Sequence, residues 1–262
     1  MNRIQKILVT GTTGQLGSEF KVLSEGYSQF EWVFADRTQV SLDNLFVLKN
    51  QLEGICPDIV LNCGAYTAVD KAETEPELAN TVNHLAVGII AQYANENQVK
   101  LIHVSTDYVF DGTSAVALTE EAVTQPVNIY GASKRAGELA CLSANPDAVI
   151  IRTSWVYSRF GDNFVKTMQR FLKVRDKISV VNDQIGSPTY AADLALSMMT
   201  IVIAQEWVSG IFNYSNEGEV SWYEFVLVIK EIGGFECEVK GIPSSSYSTP
   251  AKRPAFSLLD KS

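Results

Sequence analysis

Residues that commonly bind metals are scarce in this sequence of 262 residues, which contains two histidines and four cysteines. The cysteines show no spacing typical of zinc ligands, and no acidic cluster offers an alternative set of ligands. We therefore expect no bound metal. Four scattered cysteines are also typical of free thiols in a reducing compartment.

Long hydrophobic runs are also missing. The most apolar stretch, residues 194–204, is interrupted by Ser197 and Thr200 and falls well short of the roughly 20 residues that span a bilayer. The first residues lead directly into a strand-like run without the pattern of a signal peptide. We expect a soluble, cytoplasmic protein with no membrane partner.

An excess of positive charge is absent as well. The sequence contains 21 lysines and arginines against 30 aspartates and glutamates, which gives a net charge of −9. Because nucleic-acid phosphates recruit clustered lysines and arginines, we expect no nucleic-acid partner. A small anionic ligand would instead depend on helix N termini and a few placed cations.

The first half of the chain alternates strand-like and helix-like segments. Five β-branched, apolar runs indicate buried strands: residues 7–10, 32–35, 59–62, 101–105 and 149–152. Four intervening segments carry apolar side chains at helical spacing: residues 16–23, 42–52, 77–95 and 133–142. This alternation predicts an α/β fold, a doubly wound parallel sheet of Rossmann type with helices on both faces.

The pattern changes after Thr153. Helical spacing recurs at residues 163–172, 190–203 and 222–232, and strand-like runs lie at residues 178–181 and 211–214. Ser221 is a candidate N-cap for the last of these helices. We predict a dinucleotide-binding Rossmann domain over residues 1–153 and a smaller, mainly substrate-binding lobe over residues 154–262, interleaved with the sheet.

Three glycines, Gly11, Gly14 and Gly17, follow the first predicted strand and open the first predicted helix. Such a turn tolerates positive φ and lets a pyrophosphate approach the backbone, while the N–H groups of Gln15 and Leu16 face the phosphates. The spacing of the first two glycines is one residue longer than in the usual dinucleotide fingerprint. Its place in a βαβ frame still favours a dinucleotide over an ordinary strand–helix turn.

Two neighbouring residues bear on the choice of cofactor. Asp36 ends the second predicted strand, about twenty residues past the turn, where a carboxylate can accept hydrogen bonds from ribose hydroxyls. Arg37 follows it and could neutralise a 2′-phosphate instead. Because the two side chains favour different cofactors, we predict use of both NADH and NADPH, with a tilt towards NADH.

Tyr130 and Lys134 share one face of a predicted helix. A nearby ammonium lowers the pKa of a phenol, which is otherwise about 10, and the phenol can then give a proton to a carbonyl oxygen. Lys134 can also donate to the nicotinamide ribose. The pair alone could be a surface pair. Thr106 makes catalysis the better interpretation, because it follows the fourth predicted strand, where ligands of parallel sheets bind.

These motifs resemble those of the extended short-chain dehydrogenase/reductase superfamily and, within it, of the dTDP-4-dehydrorhamnose reductases. The resemblance runs from about Arg3 to Lys261. Besides Tyr130 and Lys134, it rests on these stretches: residues 10–17, 65–73, 105–112, 152–157, 182–189 and 249–254. It implies reduction of the 4-keto group of a dTDP-sugar, dTDP-4-dehydro-L-rhamnose, with NADPH or NADH as the cofactor.

The same resemblance implies a role for each site residue. The catalytic set would be Thr106, Tyr130 and Lys134, with Asp107 beside them. The cofactor would contact Gly11, Thr13, Gly14, Gln15, Leu16, Asp36, Arg37, Ser41, Leu42, Cys63, Gly64, Ala65, Thr67, Tyr130 and Lys134. The substrate would contact Thr67, Thr106, Asp107, Trp155, Gln184 and Arg253. An indole offers a sugar a flat apolar face, and a guanidinium suits a diphosphate.

The sequence departs from the family pattern in two places. Ser41 stands where family members often carry an acidic residue near the adenine, so we expect the main chain around Leu42 to contribute more there. Family members also usually continue beyond the position of Ser262 through another apolar helix, and we expect its loss to weaken closure of the substrate lobe. Some members dimerise with Mg²⁺; a homodimer is compatible with this sequence, but no metal position can be assigned.

Two other functions are compatible with parts of the pattern. A nucleotide-sugar epimerase or dehydratase with tightly bound NAD⁺ would keep the fold, but Asp107 is followed by Tyr108 rather than by a second acid, which favours simple reduction. A non-catalytic regulatory subunit of the methionine adenosyltransferase type would keep much of the motif set. The intact Thr106, Tyr130 and Lys134 favour an enzyme.

Overall fold

The computed structural model describes residues 3–262, and within that range the chain forms twelve strands and nine α-helices. The strands are β1 (Lys6–Thr10), β2 (Glu31–Phe34), β3 (Ile59–Asn62), β4 (Lys100–Thr106), β5 (Val149–Thr153), β6 (Val156–Tyr157), β7 (Lys177–Val181), β8 (Ile185–Gly186), β9 (Thr189–Tyr190), β10 (Gly210–Asn213), β11 (Val220–Ser221) and β12 (Glu238–Ile242). The helices are α1 (Gln15–Leu23), α2 (Leu45–Ile55), α3 (Val69–Ala72), α4 (Pro76–Asn80), α5 (Ala86–Glu96), α6 (Ile129–Ala144), α7 (Phe164–Val174), α8 (Ala191–Ile203) and α9 (Trp222–Gly233).

A six-stranded parallel sheet lies at the centre, in the order β10-β5-β4-β3-β1-β2. The chain starts at β1, the strand next to one edge, adds β2 at that edge and then crosses to β3, β4 and β5 on the other side of β1. This order confirms the doubly wound Rossmann-type fold, because it places crossover helices on both faces.

Two helical layers cover the sheet. Side chains alternate along β1, so Leu8 packs with Leu48 of α2 and Ile90 of α5 on one face. Ile7 and Val9 point to the opposite face, where they pack with Phe20 of α1 and with α8. Because both faces are covered, the strands are apolar almost throughout, as the sequence indicated.

A smaller unit forms from the second half of the chain. Strands β7 and β12 pair in parallel, and α7 and α9 pack on them through an apolar cluster that includes Leu172 and Val226. Helix α9 begins with a capping box, in which Ser221 and Glu224 satisfy each other's backbone N–H groups. Strand β12 was not predicted, whereas the cap at Ser221 is confirmed. The division at residues 153 and 154 stays a prediction, and the place of β10 in the central sheet agrees with interleaved halves.

Three predicted helices differ from the observed ones. Helix α6 starts at Ile129, four residues before the predicted segment, and so includes Tyr130. The segment at residues 77–95 is divided into α4, a π-helical turn (Thr81–Leu85) and α5. Asn83 lies in that turn and bonds the backbone of Tyr66 through both ends of its amide, which connects the wide turn to the loop after β3. Helix α2 starts at Leu45, so Leu42 lies in the preceding loop.

Residues 3–262 contain neither a membrane-spanning helix nor a cluster of metal-binding side chains. None of the helices there combines the length and the apolar character needed to cross a membrane. Across the same residues, no group of three or more His, Cys, Asp or Glu side chains is arranged to hold a metal ion.

Candidate active site

A cleft of about 840 Å³ opens at the carboxyl ends of the parallel strands. The segments that follow β1, β3 and β4 line it, together with the start of α6 and part of the smaller unit. In open α/β sheets ligands bind at this edge, and the size suits a cofactor with its substrate. The cleft thus lies at the edge of the sheet where the sequence predicted that ligands bind.

The glycine turn forms the floor of one end of the cleft. Gly11 has a φ of 66°, and a Cβ there would lie 2.6 Å from the Cα of Gly64. A Cβ at Gly17 would lie 2.6 Å from the carbonyl oxygen of Gly11. Gly14 caps α1 without a side chain, so the first N–H groups of the helix are open to the cleft. These features fit a dinucleotide pyrophosphate.

Asp36 and Arg37 differ in their hydrogen bonds and in their position relative to the cleft. The carboxylate of Asp36 accepts hydrogen bonds from the backbone N–H and the hydroxyl of Thr38, at 2.8 and 2.6 Å, and these bonds lower its pKa. Arg37 lines the cleft, whereas Asp36 does not. Arg37 is thus the residue of the pair that borders the cleft.

The loop before α2 contains Ser41 and Leu42, two predicted cofactor contacts, and only one of them borders the cleft. Leu42 lines the cleft, in agreement with the expected main-chain contribution around it. Ser41 does not, because its hydroxyl donates to Asp43 at 2.6 Å and its N–H donates to the side chain of Gln51 at 2.9 Å. Asp43 lies on the cleft wall, so an acidic group is present near the expected position but two residues later.

The remaining predicted cofactor contacts lie along the same wall. The residues of this set that line the cleft are Gly11, Thr13, Gly14, Gln15, Leu16, Cys63, Gly64, Ala65 and Thr67. They come from two segments, the turn after β1 with the start of α1 and the loop after β3, and β1 and β3 are neighbouring strands of the sheet. The structure brings this whole set together.

Thr106 ends β4, Asp107 follows it, and both line the cleft. The hydroxyl of Thr106 donates to the Asp107 carboxylate at 3.0 Å and accepts from the backbone N–H of Tyr108 at 3.2 Å. Both side chains are buried. Burial raises the pKa of Asp107 to about 6, although its hydrogen bonds oppose the rise.

Tyr130 and Lys134 face the same cleft from the first turns of α6. Desolvation raises the pKa of Tyr130 to about 12; a hydrogen bond with Thr106 opposes the rise, and the charge of Asp107 adds to it. Burial lowers the pKa of Lys134 to about 8, against the charge of Glu138. The Lys134 amine donates to the carbonyl oxygen of Val104 at 2.6 Å. The expected lowering of the Tyr130 pKa by Lys134 is therefore not observed here.

Trp155 forms the wall on the side of the smaller unit. Its backbone has a φ of 47°, and its indole stacks on Trp222 with ring centroids 3.5 Å apart and planes 10° from parallel. Gly186 lies behind the indole, and a Cβ there would come within 2.8 Å of the ring. The indole is thus fixed in place as one face of the cleft.

Gln184 and Arg253 do not line the cleft. Gln184 donates to the hydroxyl of Ser244 at 2.9 Å. Both guanidinium nitrogens of Arg253 donate to the carboxylate of Asp70, at 2.9 and 2.8 Å. Their assignment to the substrate stays a prediction.

Several cleft residues were not predicted. Tyr108 meets Tyr130 edge to face with ring centroids 5.6 Å apart, and its position beside Asp107 could have indicated this. Trp222, Gly161 and Asp162 also line the cleft. No local signal marks Trp222, because it reaches Trp155 only through the packing of α9 against a distant loop.

Fold and site together define a dinucleotide-dependent oxidoreductase of the extended short-chain dehydrogenase/reductase class. The sequence matches the family described as "RmlD substrate binding domain" over residues 5–262, and the chain belongs to this family.

Similar proteins carry one recurring name. The chain is 42% identical to a dTDP-4-dehydrorhamnose reductase of Sinorhizobium fredii (strain NBRC 101917 / NGR234), covering 97% of this chain and 88% of the relative. A dTDP-4-dehydrorhamnose reductase of Aggregatibacter actinomycetemcomitans is 37% identical over 97% and 90% of the two chains. A crystal structure of a dTDP-4-dehydrorhamnose reductase from Bacillus anthracis str. Ames, in complex with NADP, superposes with a TM-score of 0.93 at 35% identity, covering 99% and 92%.

Proposed function

We propose that this protein reduces the 4-keto group of dTDP-4-dehydro-L-rhamnose to a hydroxyl, with NADPH or NADH as the reductant. The names of its relatives and the NADP in one of their structures support the substrate and the cofactor. The observation that carries the chemistry is the convergence of Thr106, Tyr130 and Lys134 on one cleft beside the glycine turn.

The cofactor would lie along the walls already described. Its pyrophosphate would rest on the glycine turn and the start of α1, and Arg37 would face the adenosine ribose. The bound nicotinamide supplies a hydride to the carbonyl carbon. Lys134, which lines the same cleft, would donate to the nicotinamide ribose.

The chain's own residues supply the proton and hold the ketone. The hydroxyl of Thr106 would donate to the keto oxygen, and the phenol of Tyr130 would transfer its proton to that oxygen as negative charge develops there. A pKa of about 12 makes Tyr130 a weak acid in the structure as it stands. The ammonium form of Lys134 favours the phenolate left behind, so transfer becomes easier when that amine is protonated.

The sugar nucleotide would enter beside the smaller unit. The indole of Trp155 would offer an apolar face for the sugar ring, and Thr67 and Asp107, which line the same cleft, would provide polar groups. Arg253 and Gln184 are proposed for the diphosphate and nucleoside, which extend beyond the cleft. Arg253 suits a diphosphate because its fork can bind two oxygens at once.

Turnover with the purified protein tests the proposal. Mixed with dTDP-4-dehydro-L-rhamnose and NADPH, the protein should consume one reduced cofactor per dTDP-L-rhamnose formed, followed by the loss of reduced-nicotinamide absorbance. An epimerase or dehydratase would recycle its cofactor and leave that absorbance unchanged. A regulatory subunit would show no turnover. Either result would remove the proposal.

We also propose a cytoplasmic location and leave room for a homodimer. All four cysteines, which lie in the part of the chain that the structure describes, are free thiols, and free thiols are typical of a reducing compartment. Size-exclusion chromatography with light scattering would give the oligomeric state.

A further inference from the structure

A buried ion pair joins helix α6 to the central sheet. Glu138 of α6 and Arg152 of β5 are both almost completely buried, and the Nε and Nη2 atoms of the arginine donate to the two carboxylate oxygens, each at 2.9 Å. Arg135 adds a weaker contact, 3.8 Å from the same carboxylate. Replacing a buried ion pair by apolar side chains of similar volume is often neutral or stabilising. Stability alone therefore does not account for these charges.

Ser105 connects the pair to the end of β4. Ser105 and Arg152 are partners in the register of β4 and β5, so their side chains lie side by side on one face of the sheet. The hydroxyl of Ser105, a residue only 3% exposed, donates to the Oε1 atom of Glu138 at 2.6 Å. Thr106 follows Ser105 directly in the sequence. The carboxylate is thus bound to two neighbouring strands, one of which ends in the hydroxyl proposed to hold the ketone.

The same carboxylate belongs to the helix that carries the other two catalytic groups. Tyr130, Lys134 and Glu138 follow one another at intervals of four residues on α6. Side chains at this spacing are neighbours on a helix, so the phenol, the amine and the carboxylate lie along one side of α6. Glu138 is therefore the residue through which the helix of Tyr130 and Lys134 contacts the strand of Thr106.

The charge of Glu138 acts on the amine of Lys134. Burial disfavours the ammonium and lowers its pKa to about 8, and the charge of Glu138 is the largest effect that opposes the fall. Cys141, also on α6, opposes it to a smaller extent. From β4 the ring of His103 faces the amine at 3.4 Å, and it adds no charge because burial lowers its pKa well below the usual range. Glu138 is thus the main group that favours the ammonium.

We propose that Glu138 is a positioning residue that holds the end of β4 against α6 and favours the ammonium form of Lys134. The inference deepens the proposed function and rests on it for the tasks of Thr106 and Lys134. The ammonium is the form that favours the phenolate of Tyr130 after proton transfer. Arg152 allows the carboxylate to be buried there, because it pairs with both oxygens.

The charge on Lys134 can be followed without any substrate. In carbon-13 spectra of lysine-labelled protein, the ε-methylene signal that disappears in Lys134→Met should titrate at about pH 8, well below the value of about 10.4 for exposed lysines. In Glu138→Gln this midpoint should fall by about one pH unit, because a favourable charge is lost. Glu96→Gln is the matched control: Glu96 pairs with Lys49 at the surface, so the Lys134 midpoint should not move.

Ser105→Ala tests the connection to β4, because it removes one hydrogen bond to Glu138 and keeps the ion pair. With the keto sugar and NADPH, kcat should fall about tenfold while KM for the sugar changes less than about twofold, since Thr106 loses its fixed distance from Tyr130. The affinity and stoichiometry of NADPH binding should stay at wild-type values, which excludes a loss of folded protein. Ser215→Ala is the control, because it removes another buried hydroxyl that does not line the cleft.

The outcomes separate this inference from the proposed substrate. The titration of Lys134 uses no sugar, so it decides the electrostatic role even if the protein does not reduce dTDP-4-dehydro-L-rhamnose. Removing one partner of a buried ion pair is strongly destabilising. If Glu138→Gln does not fold, its combination with Arg152→Met removes both charges, and the midpoint should again fall. A midpoint that stays at about pH 8, or full kcat in Ser105→Ala, would overturn the proposal.

Discussion

Arg253 and Asp70 are joined by two short hydrogen bonds, of 2.9 and 2.8 Å, although 183 residues separate them in the sequence. Arg253 also donates to the carbonyl oxygen of Ala251 at 2.9 Å, which fixes the guanidinium within its own turn. The hydrogen bonds from Arg253 are the main reason why the pKa of Asp70 is lowered. The C-terminal segment is thus attached to α3, and these contacts hold the guanidinium in place.

This pair leads to a prediction about substrate affinity. Arg253→Lys keeps the charge but loses the planar fork, so KM for the dTDP-sugar should rise about tenfold while kcat changes less than about twofold. The exposed neighbour Lys252 provides the control, because Lys252→Ala removes a charge from the same segment without breaking this pair. An unchanged KM in Arg253→Lys would remove Arg253 from the substrate site.

The phenol of Tyr130 should be the proton donor. Tyr130→Phe removes one oxygen, and kcat should fall by about 10²–10⁴, the usual contribution of a general acid. NADPH affinity, measured by fluorescence titration, should stay within about threefold of wild type. Tyr93→Phe is the matched control because Tyr93 is buried in α5, away from the cleft. Full activity in Tyr130→Phe would contradict the assignment.

The contact between Gly186 and Trp155 gives a steric test. In Gly186→Ala the new methyl group would lie 2.8 Å from the indole, so Trp155 must shift. We expect KM for the sugar nucleotide to rise severalfold, and the free energy of unfolding to fall by about 1–3 kcal/mol. Gly54→Ala is the control: nothing lies within 4 Å of its Cβ position in α2, so it should stabilise the protein by about 0.5–1 kcal/mol. Equal effects of the two changes would show that Trp155 is not held by Gly186.

The sequence predicted the elements whose signals are local. The strand of residues 59–62 was predicted with its observed bounds, and the capping serine of α9 could be read from Ser221 with Glu224 three residues later. The glycine turn and Tyr130 could also be predicted from the sequence, because a parallel sheet brings the ends of its strands, and the segments that follow them, to one edge. The family resemblance added Trp155, for which spacing alone gave no reason.

Other features depend on contacts between distant segments. The stacking of Trp155 on Trp222 and the pairing of β12 with β7 arise only when the smaller unit packs. The pKa of Tyr130 was expected to fall. It rises instead, because desolvation of the buried phenol is the largest cause of its shift. A sequence gives the spacing of Tyr130 and Lys134, whereas the depth of their burial follows from tertiary structure.

The choice between cofactors should depend on Arg37. The carboxylate of Asp36 is engaged by Thr38, which weakens its repulsion of a 2′-phosphate but does not remove it. We expect both cofactors to work, with values of kcat/KM that differ by less than about 100-fold, or about 2.7 kcal/mol. Arg37→Leu should lower kcat/KM for NADPH about tenfold or more and leave the value for NADH within about twofold. Equal losses for the two cofactors would show that Arg37 does not meet the 2′-phosphate.

The burial of Lys134 should appear in the pH dependence of stability. Its pKa falls from 10.5 to about 8 on folding, so between these values the unfolded chain binds more protons than the folded one. Stability therefore rises with pH across that window. Relative to Lys134→Met, which cannot titrate there, the wild type should gain roughly 3 kcal/mol between pH 8 and 10.5, measured by urea unfolding.

Below about pH 8 the lysine is charged in both the folded and the unfolded state, so the difference between Lys134→Met and wild type should be constant there. Lys49→Met serves as the control, because Lys49 lies at the surface and its pKa is raised by Glu96. Its difference from wild type should therefore stay level from pH 8 to about 10. A level difference for Lys134→Met as well would mean that burial does not lower the pKa of this amine in the folded protein.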